Sequence, residues 1–394
     1  MLTDDGLLLR KGELLGVLER LCQGLELTDT QFETAKERYE AVGAWLAAAD
    51  DAMLRALAIY LQGSTALGTT VKPIIRNEHD VDLVAHNPSI SGSTAPGIVK
   101  KVIGDRLKLN GRYAPILEEM PRCWRLNYAN EFHLDITPSI INPTCVHGGE
   151  LVPDKNVREW CASNPKGYRA LFEYRASLQP RLRLLEAALE KRLRADIEPY
   201  PMSRGPKGIL RRVVQILKRH RDYRFLDADP ALAPISIVIT TLASRSYEYC
   251  VSNFVFEDEF DLLCAVIRHM PRFIERQVID GRQQWFIWNE TTTGENFAEK
   301  WNDDPRRAQS FFEWHARALS DIERLVAIDG LDNLTKSLSQ SFGPGPANRA
   351  MASLTNDIST ARAAGLLSVA PTVGLRIKQP VGSTTVKRNT FFGA

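Results

Sequence analysis

Gln62–Pro88 reads QGSTALGTTVKPIIRNEHDVDLVAHNP. It opens on a Gly-Ser turn and closes on two aspartates, Asp80 and Asp82, separated by one valine and set among apolar residues. In HDVDLVAH the apolar residues Val81 and Leu83 alternate with the acids, so a strand would show both carboxylates on one face and the aliphatics on the other. An ionised carboxylate is costly to desolvate without a partner. The rest of the chain has to supply that partner.

A second alternating segment, RLNYANEFHLDITPSI, sets Phe132, Leu134 and Ile136 against Glu131, His133 and Asp135, and Pro138 is expected to end it. Three acids on two strands form a set of hard oxygen donors. Magnesium takes few protein carboxylates and completes its shell with water and phosphate oxygens, so Asp80, Asp82 and Asp135 suit a metal that arrives with a nucleotide. Two such ions ~4 Å apart clamp the attacking and leaving oxygens of a displacement at phosphorus. Upstream, Gly63 lets the backbone approach a phosphate, and the Ser64 hydroxyl adds a donor. Gln62, just before the turn, is a candidate contact to a base or sugar.

Around this centre the chain reads as follows. Apolar residues recur every three or four positions from Asp29 to Tyr60, with Thr28 or Asp29 as N-cap, which predicts one long helix interrupted near Gly43 or Asp50. Helical periodicity returns in GYRALFEYRASLQPRLRLLEAALEKRLR and, past the turn-rich IEPYPMSRGPKG, in ILRRVVQILKRHRDYRF, APISIVITTLASRSYEY, FDLLCAVIRHMPRFIERQV and FFEWHARALSDIERLVAI. From Ser341 onward Gly, Pro, Ser, Thr and Asn accumulate and charge thins, which predicts a flexible tail.

The 394 residues suffice for two domains at ~100–200 residues each. Lys+Arg 50 against Asp+Glu 48 leaves a formal net charge of +2, which argues against nucleic acid as a partner held by bulk charge. The six cysteines are scattered with no CxxC pair, pointing to reduced thiols in a cytoplasmic setting. Cys145 with His147 lacks the second ligand pair a zinc site needs. The N-terminus has no long apolar run, so neither signal peptide nor membrane span is expected.

GSTALGTT followed by HDVDLV and HLDIT resembles the nucleotidyltransferase signature of the polymerase-beta-like superfamily. IEPYP, VVQILKRHRDYRF leading into APISIVITTLA, and GENFAEKW narrow the resemblance to the bacterial cGAS/DncV-like nucleotidyltransferases (CD-NTases), over roughly residues 62–301. The resemblance implies an α+β fold: a polymerase-beta-like core, a mixed sheet with helices, plus a C-terminal helical lobe and an active-site cleft between them. Its expected boundaries are 1–185 for the core with its long N-terminal helix, 186–340 for the helical lobe and 341–394 for the tail.

By the same resemblance, Asp80 and Asp82 would bind two Mg2+ or Mn2+ ions, and Asp135 would bind the catalytic one and help deprotonate the acceptor hydroxyl. Gly63 and Ser64 would hold donor phosphates, Lys218 would reach the triphosphate, and Ser236 would contact a phosphate. A lysine is a mobile point charge suited to that task, and Ser236, following Pro234 near a helix start, also fits an N-cap. The substrates would be nucleoside triphosphates, ATP or GTP or both. The implied product is a cyclic di- or trinucleotide second messenger that activates an effector in bacterial anti-phage signalling (CBASS). In some members a ubiquitin-transfer-like enzyme conjugates the C-terminus, which here would act through Ala394 behind KRNTFFG.

Other polar residues admit plainer readings. His79 points away from the acids by alternation. Arg76 fits either phosphate steering or a solvated loop. Tyr247 and Tyr249 read as core aromatics before base-stacking rings, and Asn296, Phe297 and Trp301 of GENFAEKW either pack near the nucleotide or cap a helix. The cluster Arg211, Arg212, Lys218, Arg219, Arg221 and Arg224 fits a cationic cleft for triphosphates better than a nucleic-acid surface. Two rival functions remain: a transferase acting on an RNA or protein acceptor, and a catalytically silent nucleotide-binding scaffold, which the intact acid triad argues against.

Overall fold

The computed structural model describes residues 4–74, 79–128, 132–154, 156–183 and 207–366, with short strand segments at 368–370, 374–376 and 384–385. Helix α1 (Asp4–Leu25) is followed by α2 (Asp29–Ala47), which Thr28 and Gln31 start with a reciprocal capping box. The long helix expected over 29–60 is interrupted near Asp50, one of its two expected breaks, but past that break only one short helix forms before the chain becomes a strand. Asp51 turns its carboxylate onto the Met53 N–H at 2.7 Å and so caps a new short helix, α3 (Ala52–Arg55), after which Ala58–Leu61 is strand β1. An aspartate offered two consecutive turns starts a helix more readily than it continues one.

After α4 (Gly63–Leu67) come β2 (His79–Asn87), α5 (Pro96–Lys108), β3 (Leu117–Glu119), β4 (Trp124–Tyr128), β5 (Phe132–Ile141), β6 (Glu150–Pro153) and β7 (Trp160–Ser163). They build one mixed sheet in the order β1-β2-β5-β4-β3, with β6 on the far end of β5 and β7 beside β6. Only β2 and β5 run parallel within it. Pro138 does not end β5, which continues to Ile141. It falls after β4 has stopped pairing at Ile136 and before β6 begins at Ile140, so the missing N–H breaks no ladder on that side.

Alternation then does its work. Val81, Leu83 and Ala85 of β2 and Phe132, Leu134 and Ile136 of β5 are all buried against Val42 and Leu46 of α2 and Ile103 and Leu107 of α5. The even-spaced acids are left on the other face.

That face meets a helical lobe made of α6 (Pro165–Ser177), α7 (Ile209–Arg224), α8 (Ser236–Asn253), α9 (Glu259–His269), α10 (Glu299–Asp303), α11 (Arg306–Arg324), α12 (Leu331–Phe342) and α13 (Pro344–Ala363). Three expected boundaries shift. Helix α6, expected within the core that ran to 185, buries Phe172 in the core of the helical lobe. Leu14, Val17, Leu18, Leu21 and Leu25 of α1 are buried in the core of this lobe, not in that of the sheet. The expected tail from 341 contains α13, which buries Ala347, Ala350 and Met351 and ties to α1 through Arg20 and Asp357 at 2.6 Å. Small residues hid that face, because Ala and Ser give a weak apolar periodicity while still allowing close helix contact. Among the described residues no helix is long and apolar enough to cross a membrane.

Candidate active site

The parallel register of β2 and β5 places Asp82 directly beside Asp135 and Asp80 beside His133. Paired residues of adjacent strands show their side chains to the same face, so all three acids share one side of the sheet. Asp80 is the exposed member, its side chain 65% accessible, while Asp135 keeps 14%. Asp82 is pushed up to about 7, first by burial and then by its neighbours Asp135 and Asp80, which Lys218 and Arg125 only partly offset. Among the described residues nothing donates a hydrogen bond to its carboxylate.

The turn beneath Asp82 explains the Gly-Ser pair. Gly63 sits at φ +64°, and a Cβ built there would lie 2.5 Å from Asp82 Oδ2. Glycine is therefore required twice, for the left-handed backbone and for the space. The Gln62 N–H donates to the Asp82 carbonyl at 2.9 Å, joining this turn to β2. Ser64 lines the cleft above, whereas Gln62 does not.

The opposite wall comes from α7 and α8. Lys218 is buried, its Nζ donating to the Thr69 carbonyl at 3.0 Å, and burial followed by the nearby Arg221 lowers its pKa to about 8. Ser236 is the first residue of α8, whose N-cap is Ile235, so its hydroxyl is not the capping acceptor. It accepts a hydrogen bond from Arg221 Nη1 at 3.2 Å and faces the cleft. The cleft encloses about 970 Å³, with an apolar flank of Phe225, Leu226, Pro230 and Ile237. That volume lies at the upper end of small-molecule sites.

Most of the basic cluster turns out to hold backbone. Arg211 donates to the Leu67 carbonyl, Lys207 to Gly68, Lys218 to Thr69, Gln215 to Thr70 and Arg219 to Lys72. Five carbonyls of the loop after α4 are thus fastened by donors on or just before one helix. Arg212, fully desolvated but for a few per cent, is bound by Glu19 of α1, by Glu26 just past the end of that helix and by Gln215.

One cleft residue had no signal in the sequence reading. Arg125 of β4 stands opposite Asp135 in register and grips both its oxygens, Nε to Oδ1 and Nη2 to Oδ2, each at 2.7 Å. Its Nη2 also lies 3.8 Å from Asp80 Oδ1. The hydrogen bonds to Asp135 hold the guanidinium pKa up, against the opposing effect of burial. The side chain follows the alternation of WRLNY, but which residue faces it depends on a strand pairing that spacing alone does not reveal.

Several candidates lie elsewhere. Tyr247 is buried with its hydroxyl on the Leu178 carbonyl, and Tyr249 belongs to a ring cluster with Phe254, His269 and Phe273. Asn296 accepts from the Ile287 and Ala298 N–H groups, and Trp301 packs on Phe311, so GENFAEKW closes a loop in the helical lobe and does not line the cleft. Cys145 Sγ sits 3.8 Å from the Thr291 carbonyl and the Thr292 hydroxyl. Arg76, the His79 side chain and Ala394 lie outside the described residues.

The donor set fits a divalent cation of the magnesium type. Its ligands are hard carboxylate oxygens, two of the acids line an open cleft, and the half-buried Asp82 carboxyl accepts no hydrogen bond from the described residues. Among the described residues no three acids already stand as a closed coordinating group, and both oxygens of Asp135 accept from Arg125.

Residues 15–175 match the profile of the Second Messenger Oligonucleotide or Dinucleotide Synthetase domain. Over 389 residues the chain is 30% identical to a c-di-GMP synthase of Roseivirga ehrenbergii, covering 97% of this chain and 98% of that protein. It is 27% identical over 250 residues to the cyclic dinucleotide synthase CdnG of Bradyrhizobium diazoefficiens, 58% of each chain. The solved structure of that CdnG in complex with GTP superposes with a TM-score of 0.65 at 20% identity, covering 87% of this chain and 99% of the other. CdnC of E. coli MS115-1 with ATP gives 0.58 at 12% identity over 84% and 97%. At these identities the two structures speak for the fold alone.

Proposed function

Because the chain belongs to the CD-NTase family of nucleotidyltransferases, which make cyclic oligonucleotide second messengers, we propose that its cleft joins two nucleoside triphosphates, GTP among them, into a cyclic dinucleotide. The observation that carries the reading is the β2/β5 register, which sets Asp82 beside Asp135 on the face that Gly63 closes from below. Similarity to a c-di-GMP synthase along nearly the whole chain supports guanine as a base.

In this reading the 3′ or 2′ hydroxyl of one nucleotide attacks the α-phosphate of the other, pyrophosphate leaves, and a second round closes the ring. The family generally uses divalent metal ions; here two Mg2+ or Mn2+ ions, held by Asp80, Asp82 and Asp135, would supply charge neutralisation at the reacting phosphate. The protein's own groups do the rest. The Gly63 backbone and Ser64 hydroxyl take the donor phosphates, Lys218 leaves the Thr69 carbonyl for the triphosphate tail, and Ser236 of α8 approaches that tail together with Arg221 of α7. A lysine held near 8 regains its charge fully once a polyanion is beside it. Asp135 receives the acceptor proton.

Labelled ATP, GTP, CTP and UTP, incubated singly and in pairs with the protein and Mg2+ or Mn2+, should give a small phosphatase-resistant product containing guanine. Label retained on RNA or protein would point to an acceptor-modifying transferase. A product without guanine would overturn the base assignment.

The same proposal places the enzyme in the cytoplasm, its product activating an effector in anti-phage defence. It also retains conjugation of the C-terminus at Ala394 by a ubiquitin-transfer-like enzyme. With that enzyme and ATP present, a mass shift on the full chain should disappear when Gly393 and Ala394 are deleted; an undiminished shift rules the conjugation site out.

A further inference from the structure

We propose that Arg125 is a resident counter-charge of the acid cluster, which holds Asp135 in place and makes ion capture depend on the incoming nucleotide. The inference rests on the reading of Asp80, Asp82 and Asp135 as the metal-binding acids. Its own basis is geometric. The guanidinium occupies one lone-pair direction on each Asp135 oxygen through a two-pronged contact at 2.7 and 2.7 Å, reaches within 3.8 Å of Asp80, and forms part of the cleft floor. Its side chain keeps only 23% exposure, so the pair is shielded from full solvent screening.

When all three carboxylates are ionised they carry three negative charges, and Arg125 cancels one of them. It also takes coordination directions that an ion would otherwise use on Asp135. A bare cation therefore meets a site that is both less negative and short of ligands. A cation arriving on a triphosphate brings phosphate oxygens and further negative charge, which make up both deficits. The arrangement offsets part of the repulsion among three acids that share one face of the sheet. Arg125 acts through Asp135 and the ion and is thus a positioning residue. A lysine there would keep the charge but lose the fork.

The test is Mn2+ binding by the full chain without nucleotide, followed by equilibrium dialysis or the electron paramagnetic resonance of free Mn2+. Arg125→Met should bind Mn2+ about tenfold more tightly than the unsubstituted protein, and Arg125→Lys should stay within about threefold of it. If Arg125→Met does not fold, as judged by circular dichroism, Arg125→Gln reads the same quantity while keeping a polar side chain in the space. Unchanged or weaker Mn2+ binding by the neutral variant overturns the proposal. A parallel titration with a non-hydrolysable GTP analogue, comparing the unsubstituted protein with Asp82→Asn, separates the two levels. Mn2+ binding that depends on Asp82 confirms the acid site independently of Arg125; binding indifferent to Asp82 removes the site reading and this inference with it.

Discussion

Asp82→Asn is expected to lower turnover by about 10³-fold or more, since it removes an ion-holding contact worth several kcal/mol in the transition state. It should also make the protein more stable in a chelator. The sign follows from linkage. The Asp82 carboxyl titrates near 7 in the folded chain against an ordinary 3.8, because burial and then Asp135 and Asp80 disfavour its charge. Between those values the folded form binds more protons than the unfolded, so stability falls as pH rises from 4 to 7. Asparagine cannot ionise and escapes that loss. With EDTA present, the variant should gain on the order of 1–3 kcal/mol over the unsubstituted protein at pH 8 and little at pH 4.5. Thermal and urea melts at both pH values measure the gap. A gap of the same size at both, or turnover within tenfold of normal, would falsify the account of this residue.

Gly63→Ala should cut kcat by roughly 10²–10³-fold in a protein that still folds, a larger loss than one methyl group ordinarily brings. The new Cβ would arrive 2.5 Å from Asp82 Oδ2 and 3.3 Å from its Cγ. Neither side can yield cheaply. Asp82 has a short side chain on a strand paired along both edges, and the Gln62 N–H bond to the Asp82 carbonyl ties the turn to that strand. The left-handed backbone at Gly63 adds about 1–2 kcal/mol of strain for any residue with a Cβ. Melting temperature, kcat and Mn2+ binding should be read together. A fall in stability with kcat and Mn2+ binding intact would mean that the carboxylate adapts and that the close approach is not what the site needs.

How far the sequence could be read follows from the range of each signal. Period-two alternation is local, so the faces of β2 and β5, the position of the acids and the Gly-Ser turn were all visible in short stretches. The helix start at Ser236 announces itself through the neighbouring Pro234. Pairings between distant segments leave no such trace. Arg125 meets Asp135 because β4 turns back on β5 in one register out of several, and a slip of one residue would send it to the other face. The basic run on α7 was legible as charge but not as purpose, because its cations are spent on carbonyls and on Glu19 and Glu26, all distant in sequence. The α13 helix was concealed by its own composition, and strand β1 by an apolar period that carries on past the break at Asp50 as far as Tyr60.

The grip of α7 on the segment from Leu67 to Lys72 reaches carbonyl oxygens, and every amino acid offers the same oxygen. Thr70, which borders the cleft, can therefore be exchanged for other side chains while its carbonyl keeps the bond from Gln215. Descendants of this chain are free to explore new base preferences at that rim without first re-engineering the joint that aims the chemistry.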